Sequence, residues 1–267
     1  MRKLMLIDEN AAAPSIIGEV LNFENRYKII GAAGKIEAED LLHSERPELI
    51  LVNTDNDGNI AAAASLSKEE DCPDFMLLGS GKKEVKLSKK PLDDIRLPFN
   101  MEDFCERTEN AYFTAKGLKD PITGLFRKQC FDVKLERLMA KKTDGVYFCL
   151  GMNAYSFAAN PPTPLQIQMS VYVLKNTLEP QGALFGFNGN MIVGFLPYKQ
   201  EHSAVEKLFE EVIGLMCEAA GEPQIYITAG ISYANEQNYF IDDMLLNADR
   251  GMGLSRTQGC NKVMYCS

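Results

Sequence analysis

Short, wholly apolar runs alternate with segments of helical period along the first hundred residues. Leu4-Met-Leu-Ile7, Lys28-Ile-Ile-Gly-Ala-Ala33, Leu49-Ile-Leu-Val52 and Phe75-Met-Leu-Leu78 predict strands, with a short fifth near Ile95. Between them, Ile16 to Phe23, Glu37 to Ser44 and Ile60 to Leu66 have apolar residues at helical spacing, and a further helix begins around Met101. Regular strand–helix alternation of this kind predicts a parallel sheet covered on both faces, joined by right-handed crossovers. The lysine-rich stretch Ser80 to Lys90 has no clear apolar face and reads as a solvated loop.

Residues 101 to 118 read as a polar helix carrying Phe104, Tyr112 and Phe113, able to link two domains or to pair with a copy of itself. After Lys119 the pattern changes. Strands are predicted at Val146 to Met152, Gly182 to Phe187, Met191 to Leu196 and Ile225 to Ser232. Helices are predicted at Arg127 to Lys141, Leu165 to Leu178, Ser203 to Ala219 and Asp242 to Leu254. Asn188-Gly189-Asn190 has hairpin chemistry, since Asn and Gly tolerate positive φ. The pattern predicts an α/β fold in two domains: 1–100 with a parallel sheet and 119–267 with a mainly antiparallel one, joined by 101–118.

Composition narrows the function classes. Hydrophobic residues make up 46% of the chain and charged residues 24%, enough to bury a full core in each domain. A formal charge of -9 disfavours nucleic acid as a partner. The chain has no apolar run of the ~20 residues that a membrane helix needs. Its seven cysteines lie apart, with no Cys-x-x-Cys pair, which points to reduced thiols in a cytoplasmic protein. The two histidines, His43 and His202, read as surface residues, with no ligand cluster around either.

From its residues alone, the second domain offers no Ser/His/Asp set, no Gly-rich phosphate loop and no metal-ligand spacing. Its motifs are more specific. Asp120-Pro-Ile-Thr-Gly-Leu125 resembles the opening D-x-L-T-G-L of GGDEF domains, the diguanylate cyclase family. Ala248-Asp249-Arg-Gly-Met-Gly-Leu-Ser-Arg256-Thr-Gln-Gly259-Cys-Asn261-Lys-Val263 follows that family's A-D-x-A-L-Y-x-A-K-x-x-G-R-N-x-V. Ile227-Thr-Ala-Gly-Ile-Ser232 sits where the family has V-T-x-S-x-G.

Active members of that family join two GTP molecules into cyclic di-GMP, with metal ions bridging carboxylates to phosphates. Magnesium prefers hard oxygen ligands, so carboxylates are what the chemistry requires. At the signature hairpin the chain has Asn188, Gly189, Asn190, Met191 and Ile192. Against G-G-D-E-F, Asn190 stands for the Asp and Met191 for the catalytic Glu. Leu150-Gly151-Met152-Asn153-Ala-Tyr155-Ser-Phe-Ala-Ala159-Asn160 resembles l-D-x-D-x-F-K-x-x-N-D, with Gly151 at the metal-binding Asp and Ala159 at the guanine-reading Asn. Gln168 falls at a second guanine contact. Arg256 keeps the charge of a phosphate-binding Lys, and Cys260 replaces an Arg. Glu179-Pro-Gln-Gly182 stands where the family's product site has R-x-x-D.

Residues 1–100 resemble response-regulator receiver domains, which implies a flavodoxin-like fold. Asp8-Glu9 matches the acidic pair that holds magnesium, and these two are the chain's candidate metal ligands. Asn53 occupies the phosphoacceptor position, Gly79 or Ser80 the hydroxyl position, and Leu97 the position of the lysine before Pro98. An amide lacks the anionic oxygen that attacks phosphorus. Asp55 lies close by, one turn residue too far along, and reads as a loop acid. The short stretch between the fourth and fifth strands implies a reduced or missing fourth helix.

Together the resemblances imply a non-enzymatic bacterial signalling or scaffold protein: a pseudo-receiver fused to a diguanylate cyclase-like domain without catalytic residues. Its partners would be proteins, with self-association through 101–118 as one route. It would need no cofactor, magnesium entering only if a vestigial site persists. The alternatives are a GTP sensor anchored by Arg256, or an atypical diguanylate cyclase.

Overall fold

The computed structural model describes residues 1–21, 26–154, 161–189, 191–198, 201–222 and 224–266, excepting the Ala154 side chain. Its contacts divide the chain into Met1–Leu118 and Lys119–Ser267.

The first unit has five parallel strands: β1 (Arg2–Ile7), β2 (Tyr27–Ala32), β3 (Leu49–Asn53), β4 (Phe75–Gly79) and β5 (Asp93–Arg96). Their order is β2-β1-β3-β4-β5, the flavodoxin-like doubly wound arrangement. The apolar runs are buried on both faces, as a parallel sheet requires. Met5, Ile7, Ile50, Val52, Phe75 and Leu77 form one core with α2 (Lys35–Glu45) and α3 (Asp57–Leu66). Leu4, Leu6, Leu49 and Leu51 alternate to the other face, where α1 (Ala13–Leu21) and α4 (Met101–Ala115) lie.

Helix α4 starts at Asn100, whose side chain accepts the Glu102 N–H at 2.8 Å, with Glu102 and Asp103 in its first turn. The expected connector thus lies within the first unit, with Phe104, Thr108, Glu109, Tyr112 and Phe113 buried. Buried Glu109 is paired with Arg2 at 3.2 Å, and the Arg2 guanidinium also lies over the Tyr112 and Phe113 rings. The segment between β4 and β5 carries no helix, and it is not wholly solvated either. Val85 and Leu87 pack on the core beside α3.

The second unit has β6 (Gly145–Ala154), β7 (Leu184–Asn188), β8 (Met191–Pro197), β9 (Ile225–Tyr233) and β10 (Val263–Tyr265), in the order β10-β9-β6-β8-β7. All pairs are antiparallel except β9–β10. Val146, Phe148 and Leu150 face α6 (Pro164–Leu178) and α7 (His202–Ala220). Tyr147 and Cys149 face α5 (Lys128–Ala140) and α8 (Ile241–Thr257). A capping box starts α6: the Thr163 hydroxyl accepts from the Gln166 N–H, the Gln166 side chain accepts from the Thr163 N–H, and Pro164 fills the first turn.

Candidate functional sites

In open α/β sheets the ligand crevice lies beyond the carboxyl ends of the strands where the order reverses, here between β1 and β3. Asp8, Glu9 and Asn53 all sit at this edge. The acids are already engaged by neutral donors. Asn53 Nδ2 donates to Asp8 Oδ2 at 3.0 Å, the Asn10 N–H donates to Asp8 Oδ1 at 2.9 Å, and Asn56 Nδ2 donates to Glu9 Oε2 at 2.6 Å. The side-chain oxygen of Asn53 accepts the Asp55 N–H at 3.0 Å, so its amide is held in one orientation.

Asp55 is tied elsewhere. Its Oδ1 accepts both the Ser80 hydroxyl at 2.6 Å and the Ser80 N–H at 2.8 Å. The Ser80 bonds, aided by the nearby Lys82 and Lys83 charges, hold the Asp55 carboxyl below its ordinary pKa. Leu97, at the lysine position, is exposed. Magnesium favours several oxygen ligands in octahedral geometry. No group of three metal-ligating side chains exists among the described residues, and the two acids here bond to amides. The donor set does not fit a magnesium site.

In the second unit the hairpin β7–β8 closes on the pair Asn188↔Met191, with Gly189 at φ 68° in the two-residue turn. This is the left-handed conformation that such turns demand. Asn190, Tyr155, Ala159 and Asn160 lie outside the described residues. Strand register then puts Met191 directly opposite Gly151, and Gly151 opposite Thr228 on β9. The two positions expected to supply carboxylates from different strands are therefore neighbours, and they hold a thioether and a hydrogen atom.

The space beside Gly151 is in use. A Cβ there would lie 2.8 Å from Thr228 Oγ1 and 3.4 Å from the Met252 sulfur of α8. The Gly151 carbonyl accepts from Asn153 Nδ2 at 3.1 Å and from the Thr228 hydroxyl at 3.3 Å. Met191, Gly151 and Thr228 thus make a row across three strands without a carboxylate. Magnesium does not fit here either, because a thioether is a soft ligand and the hydroxyl and amide are bonded to backbone and to each other.

The remaining candidates are more dispersed. Arg256, exposed in the last turn of α8, lies one turn beyond Met252 and at the same end of the sheet as Gly151. Cys260 follows in a left-handed conformation, its N–H donating to the Ser255 carbonyl at 2.9 Å. Gln168 is exposed on α6, in the helix layer opposite α8. Glu179 and Gln181 lie in an exposed 3-10 turn, with Glu179 paired to Lys175 at 3.7 Å. His43 is exposed near Glu69. His202 is more than a surface residue: it stacks on Tyr233 with ring centroids 3.6 Å apart and lies 3.3 Å from Glu236. The sequence reading missed that packing and the filling of the row by Thr228 and Met252. Its available signals were a histidine at a helix start and a threonine inside an apolar strand.

No family model matches the chain, and no curated protein matches it. Solved structures do. The coiled coil and GGDEF domain of DgcB from Caulobacter crescentus, in complex with c-di-GMP, is 16% identical; the match covers 62% of this chain and 93% of that one, with a TM-score of 0.47. The GGDEF domain of PA1120 from Pseudomonas aeruginosa is 14% identical over 55% of this chain and 92% of its own, also with a TM-score of 0.47. A response regulator from Thermotoga maritima is 17% identical over 42% of this chain and 98% of its own, with a TM-score of 0.35. These are likenesses of fold. The chain is similar to receiver domains and to GGDEF domains, in a parallel doubly wound unit followed by a mainly antiparallel one.

Proposed function

We propose that this chain is a non-enzymatic signalling protein in which a pseudo-receiver and a cyclase-like domain act through their surfaces. The observation that carries this reading is the Met191–Gly151–Thr228 row. The hairpin is built and the strands are in register, yet the row offers a metal ion no charge and a phosphate no counterion. Residues Asn53 and Asn56 support the same reading in the first unit, where they engage the acids that a phosphotransfer site would use for magnesium. We assign 1–100 to the pseudo-receiver and 119–267 to the cyclase-like domain, with 101–118 counted as the segment between them in sequence. We place the protein in the cytosol, with all seven cysteines free; no helix among the described residues is long and apolar enough to cross a membrane.

Calorimetric titration of the full chain with GTP and magnesium tests this. The expected trace is flat up to ~1 mM GTP, corresponding to binding weaker than ~4 kcal/mol. Saturable binding lost on Arg256→Ala would replace the proposal with a nucleotide sensor. Formation of cyclic di-GMP from GTP with magnesium or manganese would overturn it outright.

A further inference from the structure

The strap between β4 and β5, Gly81–Lys90, carries five of the chain's 28 basic residues and one of its 37 acidic ones. It forms no helix or strand, yet one side of it is fastened to the first unit. Lys83 pairs with Asp57 at 2.9 Å, Val85 and Leu87 pack on the core beside α3, and the Lys89 ammonium donates to the Cys72 carbonyl at 2.7 Å. The Ser88 N–H adds a bond to the Ser67 hydroxyl at 3.1 Å. Side chains alternate along an extended chain, so Lys82, Glu84, Lys86 and Lys90 fall on the other side. Lys82, Lys86 and Lys90 are accordingly exposed, and among the described residues none of the three bonds to a group outside the strap. Lys86 meets only Glu84, at 3.7 Å with both side chains in solvent, a pair worth little.

Val85, Leu87 and Ser88 hold the strap in place, and the outward lysines add only mutual repulsion, which an opposite charge would relieve. Their surroundings decide what can supply it. Glu69, Glu70 and Asp71 outnumber Lys68 in the turn that receives Ser88 and Lys89, and Asp55 and Asp57 stand at the other end. The positive stripe is therefore narrow, with carboxylates at both ends. A nucleic-acid duplex or an anionic bilayer presents negative charge over a broad front and would meet those carboxylates together with the lysines. A single acidic chain can follow the stripe and avoid them.

We infer that the Gly81–Lys90 strap is a docking stripe for an acidic peptide segment of a partner protein, with Lys82, Lys86 and Lys90 as its contacts. Docking here belongs to the first unit and is independent of the second unit's chemistry. A positive GTP titration and a failure of docking are therefore separate results.

Fluorescence anisotropy of a fluorescein-labelled peptide of alternating glutamate and serine, titrated with the full chain, tests this. The expected result is saturable binding at low ionic strength that weakens as salt rises. Lys82→Gln with Lys86→Gln and Lys90→Gln should raise the dissociation constant about tenfold or more. The control, Lys142→Gln with Lys207→Gln and Lys262→Gln, removes the same charge from exposed positions of the second unit and should change the constant less than about twofold. All six positions are exposed, so circular dichroism should report unchanged folding. Absence of binding overturns the inference, as does an equal loss in the two triple variants. Duplex DNA or phosphatidylserine vesicles bound more tightly than the peptide through the same three lysines would also overturn it, in favour of a nucleic acid or a membrane.

Discussion

Two corners of the second unit share one sheet and differ in what their side chains hold. At the first, Asp120 Oδ1 accepts the Ile122 N–H, the Thr123 N–H at 2.7 Å and the Thr123 hydroxyl at 2.8 Å, and closes the turn that buries Leu125. Asn261 works similarly: its side chain accepts the Ile227 N–H at 2.8 Å while its own N–H donates to the Ile227 carbonyl at 2.7 Å. At the second corner, the hairpin end, Met191 and Gly151 bring no polar side chain, and the Gly151 carbonyl accepts from Asn153 and Thr228. Asp120 and Asn261, motif residues that persist here, close the chain's own hydrogen bonds. A recognisable motif can therefore report fold while saying nothing of catalysis.

Substitution energies should follow the same division. The largest effect is expected where α8 presses on β9. A Cβ on Gly230 would fall on the Ala248 carbonyl oxygen and the Met252 N–H, and backbone atoms cannot turn aside. Gly230→Val should cost about 3 kcal/mol or more in urea unfolding followed by circular dichroism, the upper end for overpacking. An unchanged midpoint would show that α8 is not held as closely as described. Asp120→Ala should come next at about 2 kcal/mol, because three donors lose a charged acceptor. Asn261→Ala should cost about 1–2 kcal/mol by leaving the Ile227 N–H without its side-chain acceptor, while the backbone bond to the Ile227 carbonyl remains.

The hairpin end should be tolerant by comparison. Gly151→Ala needs only the Thr228 side chain to give way, and about 1 kcal/mol is expected. Met191 is part-buried at the strand end, and Met191→Glu should stay within about 0.5 kcal/mol. If either cost as much as Asp120→Ala, the hairpin end would be a structural corner too, and the division between the two would fail.

How much of this the sequence made legible follows from how local each signal is. The apolar runs at 4–7, 49–52 and 146–152 became strands because burial on both faces or on a helix-covered face is written into the run itself. Strand β10, three residues long, has no period to read; it forms beside β9 where Asn261 fastens the chain to Ile227. The aromatics of α4 were visible, but not that they pack on β3 and β5. At the β1/β3 edge the acids and Asn53 were named but Asn56 was not, and the Asn53–Asp8 and Asn56–Glu9 bonds span separations of 45 and 47 residues. No local pattern encodes such pairings.

The smallest effect concerns Asp55, which extends the comparison to the first unit. Asp55 bonds Ser80 as Asp120 bonds Thr123, one oxygen taking both a hydroxyl and an N–H of the same residue. On that likeness Asp55 is a carboxylate that organises a loop, and its depressed pKa comes first from the Ser80 hydroxyl. Ser80→Ala removes the hydroxyl and keeps the N–H, so the Asp55 pKa should rise toward the ordinary carboxylate value without reaching it, as read by carbon-detected NMR titration. The sign follows from linkage: a carboxyl depressed by folding stabilises the fold above its unfolded pKa, and that contribution is lost as pH falls through the folded value. The substitution should therefore flatten the acid side of the stability profile below about pH 4 and leave neutral pH almost unchanged, Asp55 being exposed. An Asp55 pKa that does not move in Ser80→Ala would separate it from Asp120 and return it to the solvated loop.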